Sequence, residues 1–341
     1  MNLEDRCTAC MLGLAIGDAL GYPVEFMNRI EIAAAFGPQG ITDFVETRWC
    51  KRGNYSDDTQ MTIAVARALL ASDPRHLDDV MAHIRDEFVA WANSPENNRA
   101  PGQSCMDGCA NMQQGTHWFS SGDPYSKGCG AAMRSAPIGL LYADDMPRLV
   151  QVARAVAICT HGHPTALASA ITMAAAVALA LRQTSPDDFL PLLLAVLNQD
   201  RGVAEFSERV SHDPLGEQTR LLEKLPQVLA ADPEKAFDEL GGGWVGEEAV
   251  AGALYCFLRS PTDFRTTVLT AANACRSDVQ AKGKGRCDSD SIACIAGAIS
   301  GAFNGMQNIP AQWAQSVENH ALLNHLGKAL AVKKMQIASA R

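Results

Sequence analysis

The sequence lacks an excess of positive charge and a cysteine framework. Its 341 residues carry 29 lysines and arginines against 38 aspartates and glutamates, a formal net charge of −9. A protein that follows a nucleic-acid backbone needs a basic face, so this composition argues against that class. The 11 cysteines are odd in number and lack a repeated short spacing, which argues against a disulfide framework and a cysteine zinc site. We interpret the lone pair Cys7 and Cys10 as buried small side chains.

Long, strongly hydrophobic runs are also missing. The longest apolar stretch, 166–181, is mostly alanine and contains Ser169 and Thr172, so we expect a buried helix rather than a membrane span. Glu4 and Asp5 precede the first apolar run, where a signal peptide would carry positive charge. We therefore predict a cytoplasmic protein with neither a membrane nor nucleic acid as a partner.

Period-two alternation of β-branched residues, which is typical of strands, is nearly absent. The sequence is 47% hydrophobic, and its apolar residues recur with helical spacing in separate blocks. This pattern predicts an all-α fold, a compact orthogonal bundle of many helices that forms a single domain over residues 1–341. The predicted helices are 4–20, 58–72, 77–93, 102–114, 129–142, 146–159, 164–183, 186–198, 216–231, 246–259, 263–275, 290–304 and 311–327.

Two of these helices begin with doubled acids. The stretch YSDDTQMT places Asp57 and Asp58 ahead of an apolar helix that Ser56 can cap, and a helix cap would explain one such start. The arrangement recurs in CDSDSIAC, where Asp288 and Asp290 precede a second apolar helix. Four carboxylates that enter a core repel one another unless a cation neutralises them. The two motifs together predict a metal site.

The predicted ligands offer only oxygen donors, which favours Mg²⁺ or Mn²⁺ over zinc. This many acids suits two ions roughly 3.5–4 Å apart. An EF-hand is excluded, because Ala293 stands where its loop needs glycine and Ile299 where it needs glutamate. A haloacid-dehalogenase-like Asp-x-Asp site stays an alternative, although GKGRC and not a hydrophobic strand precedes it. The candidate ligands are Ser56, Asp57, Asp58, Asp288, Asp290 and Ser291.

Several loops carry further candidate residues. In SKGCGAAMR, two glycines precede a predicted helix whose N-terminus could hold a phosphate, and Lys127 adds positive charge. His161 in THGHP is either a sugar contact or acid–base group, or a satisfied core residue. Glu25 is a ligand, a substrate contact or a solvated acid.

Glycines also recur at every fourth position of the first helix. Gly13, Gly17 and Gly21 predict that another helix approaches this one closely. We place Asp18, on the same stretch, behind the ligands as a supporting hydrogen-bond acceptor.

The motifs GDALGYPVEF, YSDDTQMT, GCGAAMRSAPIG, THGHPTA and DSDSIACIAGAISGA, in this order, resemble those of the ADP-ribosylglycohydrolase family over about residues 8–305. This family includes dinitrogenase-reductase-activating glycohydrolases and ADP-ribosylarginine hydrolases. The resemblance implies an all-α fold around a central cleft with two divalent metals, usually Mg²⁺ or Mn²⁺. It implies the same six ligands, with Asp290 bridging the ions.

The resemblance implies roles for other residues as well. The glycine loop is similar to the loop that holds the diphosphate and distal ribose, and His161 would be a nearby ribose contact or scaffold group. Asp58, Asp57 and Glu25 are the candidates for the carboxylate that carries a proton. The implied substrate-binding residues of the loop are Ser126, Lys127, Gly128, Cys129 and Gly130.

The implied function is a metal-dependent hydrolase that removes ADP-ribose from modified protein side chains. Ser291, and the pairing of KGCGAAMR with THGHPTA, resemble arginine-linked hydrolases, and an acidic site suits a guanidinium. The expected partner is an ADP-ribosylated protein. Two alternatives stay open. One is an immunity protein that neutralises an ADP-ribosylating toxin, by erasing its mark or by occluding it. The other is a non-catalytic ADP-ribose-binding protein.

Overall fold

The structure is a computed structural model that describes residues 2–199, 216–277 and 285–339. In these ranges the chain forms seventeen α-helices and no strand. The helices are α1 (Leu3–Gly21), α2 (Arg29–Phe36), α3 (Asp57–Ala71), α4 (Leu77–Ala92), α5 (Gln103–Gln113), α6 (Trp118–Ser121), α7 (Ala136–Leu141), α8 (Met146–Ile158), α9 (Pro164–Leu181), α10 (Pro186–Gln199), α11 (Gly216–Val228), α12 (Pro233–Leu240), α13 (Gly246–Arg259), α14 (Phe264–Ala272), α15 (Ser289–Asn304), α16 (Ala311–Ser316) and α17 (His320–Ser339).

The all-α prediction is confirmed, and the differences lie in particular helices. The predicted helix 129–142 is a 3₁₀ turn at Cys129–Ala131 followed by the short α7, which begins one residue before Pro137. The predicted helix 311–327 is split, because the chain turns at Asn319, whose φ is +53°. The short helix α2 was not predicted, although Asn28 and Glu31 form a capping box at its start. The helices α6 and α12 were also not predicted.

The helix α1 packs along α15 with almost no space between the two backbones. A Cβ atom at Gly17 would lie 1.9 Å from the Ala293 carbonyl oxygen, and one at Gly297 would lie 2.1 Å from the Gly13 carbonyl oxygen. A Cβ at Gly21 would lie 2.4 Å from the Ser289 carbonyl oxygen. The predicted close approach at Gly13, Gly17 and Gly21 is therefore confirmed, and α15 is the approaching helix.

Two helical segments of the described chain are apolar enough to resemble membrane spans. Leu3–Val24 and Pro164–Leu181 have mean hydropathies of 1.3 and 1.8, yet the most apolar 18-residue window of each is wholly buried within the protein. The helix α9 is surrounded by α7, α8, α10, α13 and α15. Packing in the core therefore accounts for their apolar character.

The buried apolar side chains form one contiguous cluster that runs from Cys7 on α1 to Ala331 on α17. All 11 cysteines are free thiols. Cys7 and Cys10 are buried, and burial raises the pKa of the Cys7 thiol to about 12. These two residues therefore pack as small apolar side chains. The prediction of a single domain over 1–341 stays a prediction.

The contact between α1 and α15 gives a stability prediction. We expect Gly17→Ala to lower the free energy of unfolding by more than the roughly 1–3 kcal/mol that is usual for overpacked cores, because the new methyl group meets backbone rather than a movable side chain. The measurement is the urea midpoint, followed by circular dichroism.

The matched control is Gly102→Ala, where the nearest atom to a new Cβ is 3.8 Å away. Gly102 is the N-cap residue of α5, where glycine is preferred over alanine, so we expect its urea midpoint to fall only by the equivalent of about 1 kcal/mol or less. A wild-type midpoint for Gly17→Ala would contradict the close backbone contact.

Candidate metal centre

Five buried carboxylates from three segments of the chain meet in one cleft. Two come from the first turn of α3, and two from the start of α15. The fifth comes from the turn that follows the 3₁₀ turn Tyr22–Val24. The side chains are Glu25, Asp57, Asp58, Asp288 and Asp290.

The start of α3 is held in place by hydrogen bonds to a side chain of α1. Ser56 is the N-cap residue, and its side chain accepts a hydrogen bond from the Asp58 N–H at 3.2 Å. The Asp18 carboxylate accepts from the Ser56 N–H at 2.8 Å, the Thr59 N–H at 3.0 Å and the Thr59 hydroxyl at 2.6 Å. Asp18 therefore supports the ligands by fixing the backbone that carries them.

Hydrogen bonds also orient the carboxylates themselves. Asp57 accepts from the Gly102 N–H at 3.3 Å, so the loop before α5 contacts the site. Asp288 lies at the N-cap position of α15 and accepts from the Cys129 thiol at 3.1 Å. Asp290 accepts from the Ser291 N–H at 3.0 Å. The two acidic motifs, distant in sequence, thus share one cleft.

Glu25 completes the acid cluster. One oxygen each from Glu25, Asp288 and Asp290 can be chosen so that all three lie within 4.8 Å of one another. The Glu25 residue is only 8% exposed, so the solvated-acid alternative for this residue is wrong. The chain reaches this position because Tyr22–Val24 continues from α1, which is already packed against α15.

Burial and mutual repulsion shift the titration of these groups. Desolvation, followed by the charges of Asp290, Asp288 and Asp57, raises the pKa of Glu25 to about 11. The same two causes hold the pKa values of Asp57, Asp58 and Asp290 well above their usual range. Within the described residues, no lysine, arginine or histidine pairs with these carboxylates. A cation bound among these carboxylates would neutralise charge that the described side chains leave unpaired.

The residues present fit a hard divalent cation. Asp58 Oδ2 and Glu25 Oε2 are buried and have no hydrogen-bond partner among the described residues. A buried, unpaired carboxylate oxygen is costly unless it binds a proton or a metal. Oxygen donors from Glu25, Asp58 and the Asp288–Asp290 pair match the preference of Mg²⁺ or Mn²⁺. The hydroxyls of Ser56 and Ser291 are buried beside them.

The glycine loop lies against the same cleft. The Cys129 thiol donates to Asp288, and the Ser291 hydroxyl lies 3.5 Å from the Cys129 sulfur. Ser126 shares a hydrogen bond with the Ser104 hydroxyl at 2.7 Å. Gly128 forms an isolated antiparallel bridge with Val245. The loop is thus tied to the acid cluster on one side and to the start of α13 on the other.

Two features of this loop differ from the sequence prediction. No α-helix begins directly after Gly130, because the chain forms a 3₁₀ turn there and α7 starts only at Ala136. The Lys127 ammonium pairs with Glu217 at 3.1 Å and Glu247 at 3.0 Å. Its charge is therefore shared with two carboxylates and is less available to a phosphate than a free lysine would be.

His161 lies beneath the glycine loop. A Cβ at Gly130 would meet its ring at 2.8 Å, and one at Gly128 at 3.2 Å, so both glycines are needed for the loop to lie on the imidazole. Its Nδ1 pairs with the Thr160 hydroxyl at 2.8 Å. Burial, with the nearby charge of Arg134, lowers the pKa of His161 to about 3. The loop therefore packs on a neutral ring, and the roles of ribose contact and scaffold group both stay predictions.

Arg134, a fully buried cation, was not predicted from the sequence to be near the site. Its guanidinium donates to the Val156 carbonyl at 2.9 Å and to the Thr160 hydroxyl at 2.6 Å, and lies 4.7 Å from the Phe88 ring centre. It therefore organises the layer that carries His161. A lone arginine at the end of GCGAAMR gives no signal of burial in the sequence.

The loop before α13 is another part of the site for which the sequence predicted no role. Glu248 accepts hydrogen bonds from the Gly242 N–H at 2.9 Å and the Gly243 N–H at 3.1 Å. The Gly242 carbonyl in turn accepts from the Asp288 N–H at 2.7 Å. The glycines and acids of GGGWVGEE thus form a fixed wall of the cleft.

A family model described as ADP-ribosylglycohydrolase matches residues 1–338. The chain belongs to this family. ADP-ribosylhydrolase ARH3 from Mus musculus is 29% identical over 95% of this chain and 90% of its own length. ADP-ribosylarginine hydrolase Tri1 from Serratia proteamaculans is 24% identical over 96% of this chain and 79% of its own length.

A solved structure titled ADP-ribosylglycohydrolase-related protein complex has the same fold. Its TM-score is 0.71, and the match covers 98% of this chain and 99% of that chain at 24% identity. The predicted family and fold class are thereby confirmed. Members of this ADP-ribosylglycohydrolase family are metal-dependent hydrolases that act on ADP-ribosylated proteins. The roles of individual residues, the identity of the metal and the linkage stay predictions.

The acid cluster gives a prediction about metal removal. In chelator, we expect Asp290→Asn to be at least as stable as the wild type, because the substitution removes one of several repelling buried charges. Added Mg²⁺ or Mn²⁺ should stabilise the wild type, by about 2.7 kcal/mol at a hundredfold excess over the dissociation constant, and the variant much less. Thermal unfolding with and without the ion is the measurement, and equal stabilisation of both proteins would contradict the metal centre.

His161 gives a prediction about acid stability. Its pKa is about 3 in the folded protein and near 6.5 when unfolded, so the unfolded chain binds more protons between these values. Stability is therefore lost as pH falls below about 6.5, at up to about 1.4 kcal/mol per pH unit for this group. We expect His161→Gln to lose less stability than the wild type between pH 7 and pH 5, measured by urea unfolding. The exposed His325→Gln should follow the wild type, and parallel pH curves for all three proteins would refute the prediction.

Proposed function

We propose that this protein is an ADP-ribosylarginine hydrolase that uses two Mg²⁺ ions, with Mn²⁺ able to replace them, and reverses mono-ADP-ribosylation of proteins. The observation that carries the proposal is the buried cluster of five carboxylates with two unpaired oxygens, in a chain of this family. An ADP-ribosylated arginine keeps its positive charge, which suits so acidic a cleft. Similarity to the Tri1 relative, an ADP-ribosylarginine hydrolase by name, supports the same linkage.

In the proposed reaction, water replaces the guanidine at the anomeric carbon of the ribose. The ions would be held by the six candidate ligands of the two acidic motifs, with Glu25 close enough to join them. These ligands are Ser56, Asp57, Asp58, Asp288, Asp290 and Ser291. When bound, the ions supply the positive charge that orients the ribose hydroxyls and polarises the attacking water. The residues Ser126, Lys127, Gly128, Cys129 and Gly130 line the part of the cleft proposed for the diphosphate and distal ribose.

A carboxylate must accept the proton of the water and return one to the leaving guanidine. Asp58 and Glu25 each have an oxygen that no described group occupies, whereas one Asp57 oxygen accepts from Gly102. We therefore propose Asp58 or Glu25 as the proton carrier.

The two alternative functions make different demands on the site. A non-catalytic ADP-ribose-binding protein would not need unpaired acid oxygens beside the metal ligands, so their presence favours the hydrolase. An immunity protein that erases the mark of an ADP-ribosylating toxin would use this same chemistry. Such a protein would be a hydrolase with a particular substrate, proposed to act in the cytoplasm.

The test of the proposal offers three substrates, in which ADP-ribose is linked to arginine, serine or acetate, with Mg²⁺ or with chelator. We expect release from arginine in Mg²⁺ and none in chelator. Asp290→Asn should lose at least about a thousandfold in kcat because it weakens the metal centre. If Glu25 is the proton carrier, Glu25→Gln should lose kcat while still binding Mg²⁺, and Asp58→Asn, which also changes a proposed ligand, should regain kcat at saturating Mg²⁺.

Lys51→Gln, a change of an exposed charge, is the control and should keep wild-type kcat. Release from serine alone would refute the arginine specificity. Full turnover in chelator would refute the metal-dependent mechanism.

A further inference from the structure

Two large aromatic rings stack on one another beside the acid cluster while remaining open to solvent. The rings of Phe26 and Trp244 have centroids 5.8 Å apart and planes 22° apart. Phe26 is 56% exposed and Trp244 is 40% exposed. The two residues come from segments more than two hundred positions apart, so the fold itself brings them together. Exposed aromatic surface of this kind is typical of a binding surface.

Each ring is attached to a segment that also carries part of the acid cluster. Phe26 follows Glu25 directly in the chain. Trp244 follows Gly243, where an added Cβ would lie 3.3 Å from the Asp288 Cβ. The segments that carry the two rings therefore flank the acid cluster, one at the Glu25 turn and the other at the wall beside Asp288.

The Trp244 segment is held in place by the protein. Glu248 fixes the N–H groups of Gly242 and Gly243, and the Trp244 carbonyl accepts from the Cys129 N–H at 3.4 Å. Gly243 has a φ of +87°, a conformation that favours glycine and turns the chain directly before the ring. The ring is thus presented by a fixed loop, which is the condition for a specific contact.

We propose that Phe26 and Trp244 form an aromatic platform that holds the planar, cationic guanidinium of the group released from ADP-ribose. This inference rests on the proposed function, because it concerns the leaving-group side of the same cleft. A guanidinium is attracted to the face of an aromatic ring and to nearby carboxylates, and both lie here. The platform would favour arginine over neutral leaving groups such as serine, which gain nothing from the ring face.

The binding test uses butylguanidinium and its neutral isostere butylurea. Both are added to the protein in Mg²⁺ and ADP-ribose, and NMR follows the indole N–H signals of the five tryptophans, with Trp244→Phe assigning the signal of Trp244. We expect butylguanidinium to shift the Trp244 signal and to bind at least about fivefold more tightly than butylurea, as a cation–π contact of about 1 kcal/mol requires.

Variants then test whether the preference for butylguanidinium depends on the two rings. Followed by calorimetry, Trp244→Ala and Phe26→Ala should remove the preference for butylguanidinium, and Trp244→Phe should keep most of it because a ring remains. Phe119→Ala, which removes a 42% exposed ring on α6, should behave as the wild type. In kinetics, Trp244→Ala should lower kcat/KM for arginine-linked ADP-ribose at least about fivefold, and Trp244→Phe, which keeps a ring, should lower it less.

The possible failures are distinguishable. If calorimetry detects no ADP-ribose binding in Mg²⁺, the proposed function fails and the platform with it. If ADP-ribose binds but Trp244→Ala keeps the preference for butylguanidinium, only the platform is refuted. If AMP shifts the Trp244 signal and butylguanidinium does not, the ring pair receives a nucleobase, and the platform is again refuted.

Discussion

The contact between α1 and α15 is the constraint on which the site depends. Glycines on both helices let the backbones touch, and this fixes the position of the start of α15 relative to the end of α1. Asp18 follows Gly17, so its carboxylate is held at that contact and reaches the backbone of Ser56 and Thr59. A single close packing thereby places both acidic helix starts, and the turn that carries Glu25, around one cleft.

The cleft concentrates negative charge that the described residues do not neutralise. Burial raises the pKa values of all five carboxyls, and mutual repulsion raises those of Glu25, Asp57, Asp58 and Asp290 further, so the ionised cluster opposes the stability of the folded chain. The buried apolar side chains of α1, α9 and α15 offset this destabilisation. Such local instability within a well-packed scaffold is common where a ligand or metal completes the structure.

The walls of the cleft are built from loops that hold one another. Cys129 donates to Asp288, Gly128 pairs with Val245, and the Gly242 carbonyl accepts from the Asp288 N–H. The glycine loop lies on the neutral ring of His161, which Thr160 and the layer around Arg134 keep in place. Each of these glycine-containing loops is therefore hydrogen-bonded to or packed on a neighbour, which restricts the conformations that the glycines would otherwise allow.

The sequence by itself determined the helical class, the close approach at Gly17, the pairing of YSDDTQMT with CDSDSIAC and the family, because periodicity and the chemistry of short motifs are local properties. Only the tertiary structure decided that Glu25 is buried among the acids and that Lys127 is paired with Glu217 and Glu247. It alone showed the buried guanidinium of Arg134 and the stack of Phe26 on Trp244. Each of these features is a contact between residues far apart in the sequence. A local sequence pattern does not determine such a contact, because it depends on how the whole chain packs.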